Sequence, residues 1–203
     1  MAALSVLAIA SSPRRGGNSE TMLDAAAEAA AGAGARVEKV ALRDLGFKPC
    51  LNCGGCAKTG RCVLRDEYTG LNQRIRAADR LLLASPIYMG SLCAQLKCLI
   101  DRGQPFWAEK YVLKRTPPPR AVERRALLVS CGGFAKGAKF LASAESIVKI
   151  WLFCQDVKYA GAVFEPGVDA KGAIQAHPEA LARCREAGAG LGAAEGRRKK
   201  AEG

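Results

Sequence analysis

Five short apolar runs, separated by stretches with helical spacing, predict an α/β fold: a doubly wound five-stranded parallel sheet in the order 2-1-3-4-5. Two observations carry that reading. Leu81–Ala84 and Leu127–Cys131 are near-continuously apolar, as strands covered on both faces must be. Three loops rich in Gly, Ser and Pro each follow a strand, so they gather at one sheet end, where the first, third and fourth strands meet at the switch point. The 203 residues are enough for one domain with a real core, expected over 1–192, followed by a basic flexible tail over 193–203.

Composition narrows the function classes. Hydrophobic residues make up 49% and charged residues 25%, and no apolar run approaches the length of a membrane span. Met1–Ala10 leads into a strand without the pattern of a secretory leader, and nine cysteines is an odd number. A reducing cytoplasm is therefore expected, with no membrane association and no disulfide scaffold. The net charge of +12 is spread along the chain and accompanies no nucleic-acid-binding module, so no nucleic-acid partner is expected. A basic face suits an acidic protein, such as a ferredoxin-like electron carrier, through electrostatic steering.

The elements follow in order. Leu4–Ala10 is the first strand, and the loop Ser11–Ser19 after it ends at an alanine-rich helix over Glu20–Ala31. A buried strand, a polar glycine-bearing loop and a helix amino end form an anion site. Ser11, Ser12, Arg14, Asn18 and Ser19 supply donors for it. The loop fits neither the dinucleotide fingerprint nor the Walker-type loop, so a monoester phosphate is expected, the alternative being an ordinary capped turn.

Arg36–Leu42 alternates as the second strand, and a cysteine-rich insert over 48–65 follows it. A helix spans Asp66–Ala78, and Arg80–Ser85 is the third strand. Ser85–Ser91 reads as an extended loop in which Pro86, Ile87, Tyr88 and Gly90 offer backbone and an aromatic face to a planar ligand. Tyr88 alone could equally be a packing residue. A helix over Leu92–Arg102 is followed by Gly103–Arg120, read as an irregular surface excursion or interaction segment with a stiff triple-proline spacer. Ala126–Cys131 is the fourth strand, and the loop Gly132–Gly137 brings Gly132 and Gly133 to the same sheet end. A helix over Phe140–Cys154 and a fifth strand over Val157–Phe164 come next. His177, the single histidine, opens the last helix and lies far from these loops, so no catalytic base is assigned. Cys93, Cys98, Cys131, Cys154 and Cys184 fall in strands or helices and are read as structural.

Cys50, Cys53, Cys56 and Cys62 stand in the spacing C-x2-C-x2-C-x5-C, with Gly54, Gly55 and Gly60 freeing the backbone between them. Four thiolates this close suit one soft metal centre, a cubane (4Fe-4S) iron–sulfur cluster above all. The run resembles the opening of a ferredoxin cluster motif, with a different last spacing and no proline after the fourth cysteine. A tetrahedral zinc, regulatory disulfides or simple apolar packing are the alternatives.

Together these segments resemble a known family. Ser11–Ser19 is similar to the phosphate loop of the flavodoxin-like NAD(P)H-dependent FMN reductases, with Ser at 11 and 19 where the family motif has Gly and Thr. Ser85–Gly90, Gln95–Lys97 and Asp101–Arg102 match a second segment of that superfamily. The cysteine insert is the mark of its iron–sulfur flavoproteins. The resemblance implies a flavodoxin-like fold and FMN, with its phosphate on Ser11, Ser12, Arg14, Asn18 and Ser19. Its ring system would lie against Pro86, Ile87, Tyr88, Gly90, Gly132 and Gly133, and the cluster on Cys50, Cys53, Cys56 and Cys62. It also implies a homo-oligomer, dimer or tetramer, in which a cluster lies near a neighbour's flavin. The function expected is electron transfer between a one-electron donor and a two-electron acceptor, the chemistry being carried by the cofactors. The alternatives are an NAD(P)H-dependent FMN or quinone reductase without a cluster, and a thiol or cluster redox sensor.

Overall fold

A computed structural model describes residues 3–193, so nearly all of the expected basic tail lies outside the described residues. Strand β1 spans Ser5–Ala10, β2 Arg36–Ala41, β3 Arg80–Tyr88, β4 Ser91–Leu92, β5 Arg125–Gly132 and β6 Lys158–Pro166. Helix α1 covers Asn18–Gly32, α2 Gly55–Thr59, α3 Tyr68–Ala77 and α4 Ala94–Asp101. Helix α5 covers Gln104–Trp107, α6 Ala138–Phe153 and α7 Pro178–Gly192.

The architecture is an α/β flavodoxin-like parallel sheet with helices on both faces. Its strand order is β2-β1-β3-β5-β6, with β4 paired antiparallel to β3 off that path. This corrects the expected five strands in the order 2-1-3-4-5. The segment 86–92 is not open loop: β3 runs on to Tyr88 and the chain doubles back as a sixth strand. The reversal is made by Met89 and Gly90, with φ of 48° and 80°, two successive left-handed residues of the kind a tight hairpin turn requires.

Alternation along the strands sends Val6, Ala8, Leu82, Leu127 and Val129 to the face covered by α1 and α7. Leu7, Ile9, Leu81, Leu83 and Leu128 point to the face covered by α3, α4 and α6. Helices α1 and α7 meet closely enough that a Cβ on Gly188 would lie 2.1 Å from the Ala26 carbonyl oxygen. Alanines on one helix facing glycines on the other permit that approach.

The first part of the expected excursion after α4 is helical, and the stretch with the three prolines is irregular as expected. Pro105 starts the short helix α5, and a π-helical turn over Ala108–Val112 follows directly. Neither is long enough to leave a periodic signal in the sequence. Among the described residues, no helix is long and apolar enough to cross a membrane.

Candidate cofactor cradle and cysteine site

The carboxyl ends of β1, β3 and β5 bring the three predicted loops together, and β6 adds a fourth. Gly17 stands at the amino end of α1 without a side-chain cap, so the positive end of the helix dipole faces the loop. A Cβ on Gly17 would lie 3.0 Å from the Arg14 carbonyl oxygen and 3.1 Å from Ser12 Oγ. The turn closes on itself there and admits no side chain. Arg14 Nε is buried without a partner, while both Nη groups donate to the Asp169 carbonyl at 3.1 Å. A buried donor without an acceptor beside a helix amino end fits a bound anion.

Three of the expected phosphate ligands are already engaged. The Ser11 hydroxyl donates to the Ala84 carbonyl at 2.5 Å and meets Cys93 Sγ at 3.1 Å, tying β1 to β3. Asn18 donates to the Ala170 carbonyl at 2.8 Å and accepts from the Gly172 amide at 2.9 Å. Ser12 Oγ accepts from the Arg14 amide at 3.1 Å, and Ser19 is buried at the first turn of α1. Asn18 and Arg14 thus fasten the 167–172 loop against the β1–α1 turn.

Beneath the loop, Glu20 accepts from the Gly16 amide and from Arg43 at 2.8 and 2.9 Å, and Lys39 lies 3.0 Å away. Burial pushes its carboxyl up, but these hydrogen bonds outweigh that and hold it at about 2.

The second half of the cradle is built by β3 and β5. Pro86 pairs with Cys131, and Ile87 packs under Gly132, where a Cβ would lie 3.2 Å from that of Ile87. Ile87 therefore faces the core with its side chain and can offer only backbone to a ligand. Tyr88 is partly exposed at the end of β3. Gly90 abuts Phe140, whose ring lies 5.3 Å from that of Phe134. Phe134 is 64% exposed beside Gly133 and is a second aromatic wall that the sequence reading did not name.

The cysteine segment leaves β2 and is anchored by acidic residues that the sequence assigned to a helix start. Asp66 accepts from the Lys48 amide at 3.1 Å, and Glu67 accepts from the Gly46 amide. Arg102 donates to Asp66 at 2.8 and 2.9 Å and to the Lys48 carbonyl at 2.6 Å. Those Arg102 hydrogen bonds hold the Asp66 carboxyl below its ordinary range. The segment is closed at its neck.

Cys50, Cys53, Cys56 and Cys62 all line one cavity of about 110 Å³, completed by Arg102, Gln104, Pro105, Trp107 and Ala108. The region read as a surface excursion is therefore a wall of the cysteine site. Burial first, then the charges of Cys50, Cys62 and Cys53, push the Cys56 thiol above its ordinary range. Among the described residues, no three Cys, His, Asp or Glu side chains are gathered about one point as a single metal ion requires.

Of the other thiols, Cys98, Cys131 and Cys184 lie in α4, β5 and α7, while Cys93 and Cys154 flank α4 and α6 rather than lying in helices as expected. Cys93, Cys131 and Cys184 are buried, and burial raises Cys131 to about 12 and Cys184 to about 11. Cys98 on α4 is half-buried, close enough to Cys50 and Arg102 for their charges to reach it. His177 precedes α7 and hydrogen-bonds Glu165 at 2.8 Å.

Comparison with known proteins identifies the setting. The chain is 38% identical over 103 residues to an iron–sulfur flavoprotein of Archaeoglobus fulgidus, covering 51% of this chain and 47% of that protein. It is 35% identical over 103 residues to an iron–sulfur flavoprotein of Methanocaldococcus jannaschii, covering 51% and 53%. The matched stretch spans about half the length of these curated relatives. In fold, it superposes on an NAD(P)H:quinone oxidoreductase from Methanothermobacter marburgensis with a TM-score of 0.71 at 22% identity, covering 96% of this chain and all of the other. Residues 4–165 match the family described as NADPH-dependent FMN reductase, and the chain belongs to that family.

Proposed function

We propose that the chain is an FMN- and iron–sulfur-dependent redox flavoprotein that moves electrons between a one-electron donor and a two-electron acceptor. The observation that carries this reading is the cavity lined by all four cysteines, on a chain of the FMN reductase family. Four cysteines within thirteen residues suit a polynuclear group better than a tetrahedral zinc, whose ligands usually come as two separated pairs. The relatives named iron–sulfur flavoproteins support the same choice.

Bound FMN and a 4Fe-4S cluster would supply two-electron and one-electron redox chemistry respectively. The chain's own residues bind and orient. Arg14, Ser12, Ser19 and the amino end of α1 would hold the FMN phosphate, while Ser11 and Asn18 brace the loop from behind. The backbone of 86–90, Tyr88, Gly132 and Gly133 would meet the ring system, with Phe134 beside it. Residues 1–192 would form one FMN-binding domain, carrying the cluster insert at 48–65.

A groove of about 420 Å³ beside Cys62, lined by Arg61 and Arg65 and by the Arg76–Glu109 ion pair, suits an acidic ferredoxin-like donor through Arg61 and Arg65. Exposed Leu51, Val63 and Trp107 around the cysteine site suit burial in a homo-oligomer. All nine cysteines are free, which suits a reducing cytoplasm.

The test is an anaerobic absorbance spectrum, with iron, sulfide, zinc and flavin assayed on the same sample. About four irons and one FMN per chain, with a broad absorbance that bleaches on reduction, is the expected result. FMN with zinc or without metal would replace this reading with an NAD(P)H-dependent FMN or quinone reductase. Neither flavin nor iron after reconstitution would leave the thiol switch.

A further inference from the structure

Arg102 is 1% exposed, deep in the wall of the four-cysteine cavity. Its orientation is over-determined. One Nη donates to Asp66 and to the Lys48 carbonyl, the other donates to Asp66, and the guanidinium lies 4.3 Å from the centre of the Tyr68 ring. The third donor is different. Arg102 Nε is buried and has no partner. Buried arginine nitrogens are ordinarily satisfied, so an orphan next to a cavity points to an acceptor that enters it.

The chemistry on that side is sulfur. Arg102 lines the same cavity as Cys50, Cys53, Cys56 and Cys62. The Lys48 carbonyl and Asp66 are met by the two Nη groups, which leaves Nε–H as the donor without an acceptor beside the cavity. The other orphaned arginine nitrogens do not share this setting: Arg43 Nε lies 4.0 Å from Asp44, and Arg14 Nε is in the β1–α1 loop.

We propose that Arg102 Nε–H donates a hydrogen bond to a sulfur of the iron–sulfur group in the four-cysteine cavity, making Arg102 the residue that tunes its reduction potential. The inference rests on the iron–sulfur reading above. A donor aimed at sulfur stabilises the more negatively charged, reduced state more than the oxidised one, which raises the potential. Arg102 is a positioning residue: it takes no electron and ligates no metal.

Arg102→Lys tests this at constant charge, since lysine can still meet Asp66 and the Lys48 carbonyl but lacks the in-plane Nε–H. Wild type and variant are reconstituted anaerobically, assayed for iron and sulfide, and titrated for midpoint potential by EPR. The expected result is wild-type iron content with a midpoint shifted to more negative values. Equal iron and an unchanged midpoint would overturn the inference while leaving the iron–sulfur reading intact. Wild type that takes up no iron would overturn both, and it is recognised before any variant is made.

A second measurement uses wild type alone and does not depend on the variant keeping the neck of the segment. With arginine labelled at 15Nε, pulsed EPR on the reduced protein should detect a weakly coupled arginine nitrogen. A fully loaded sample without that coupling would overturn the proposal whatever the variant does.

Discussion

Gly188→Ala and Gly190→Ala, two residues apart on α7, should change stability in opposite directions. At 188 a Cβ would lie 2.1 Å from the Ala26 carbonyl oxygen and 2.7 Å from Ala26 Cα. Reaching ordinary contact near ~3.5 Å requires α7 to retreat from α1 by about 1.4 Å. That retreat draws Leu181, Cys184 and Leu191 partly out of the core they share with Met22 and Ala26. Overpacking against backbone belongs at the upper end of its usual range, about 3 kcal/mol, against about 1 kcal/mol gained from replacing helical glycine. The net loss is about 2 kcal/mol, or a fall in Tm of about 4–8 °C for a chain of this length.

At 190 nothing lies within 4 Å of the added Cβ, so only the helix term remains. Gly190→Ala should raise Tm by about 2–4 °C. Thermal unfolding followed by circular dichroism on the flavin-free proteins compares the two directly. A Gly188→Ala protein at least as stable as wild type would refute the close α1–α7 packing. The effect should also reach the cradle, since α1 carries the Ser11–Ser19 loop at its amino end. FMN should bind more weakly to the 188 variant than to the 190 variant.

Glu20, held at about 2 against an ordinary value of 4.5, contributes stability that is fully present above pH 4.5 and lost as pH falls towards 2. Its share is up to about 3 kcal/mol, and Glu20→Gln should flatten the acid limb of a stability–pH curve; superimposable limbs would count against it. Arg14→Ala should weaken FMN about 10-fold or more and riboflavin less, by equilibrium fluorescence titration. Equal losses for both flavins would remove Arg14 from the phosphate site. Cys53→Ser should lose iron and keep FMN, since the two sites stand on separate loops; loss of all flavin as well would join them into one unit. Metal and flavin assays on one sample read both.

The sheet was legible because its strands are apolar at nearly every position, a pattern that no amphipathic helix shares. The cysteine site was legible from the spacing of Cys50, Cys53, Cys56 and Cys62 alone, but its far wall was not. Gln104, Pro105, Trp107 and Ala108 lie in a four-residue helix and a π-helical turn, both too short for periodicity to register.

At the cradle, composition found the loop but could not say which way its hydroxyls point. The Ser11 hydroxyl ties β1 to β3 in this structure, because a buried hydroxyl takes the nearest carbonyl. The 167–172 loop escaped notice because it contributes backbone groups of Asp169, Ala170 and Gly172, which any residue can supply. Asp66 looked like the first residue of a helix; only tertiary contact reveals it as the partner of Arg102.

Those backbone ties have a wider meaning for the sheet's outer margin. Strand β6 is paired on one side only, with β5, and its continuation crosses back to Arg14 and Asn18 beside β1. The tie works like a drawstring over the rim formed by β1, β3, β5 and β6. Filling the cradle would tighten it, and emptying it would slacken the outermost strand. Solvent exchange and protease cutting at 167–172 would then gauge flavin occupancy from the edge of the sheet.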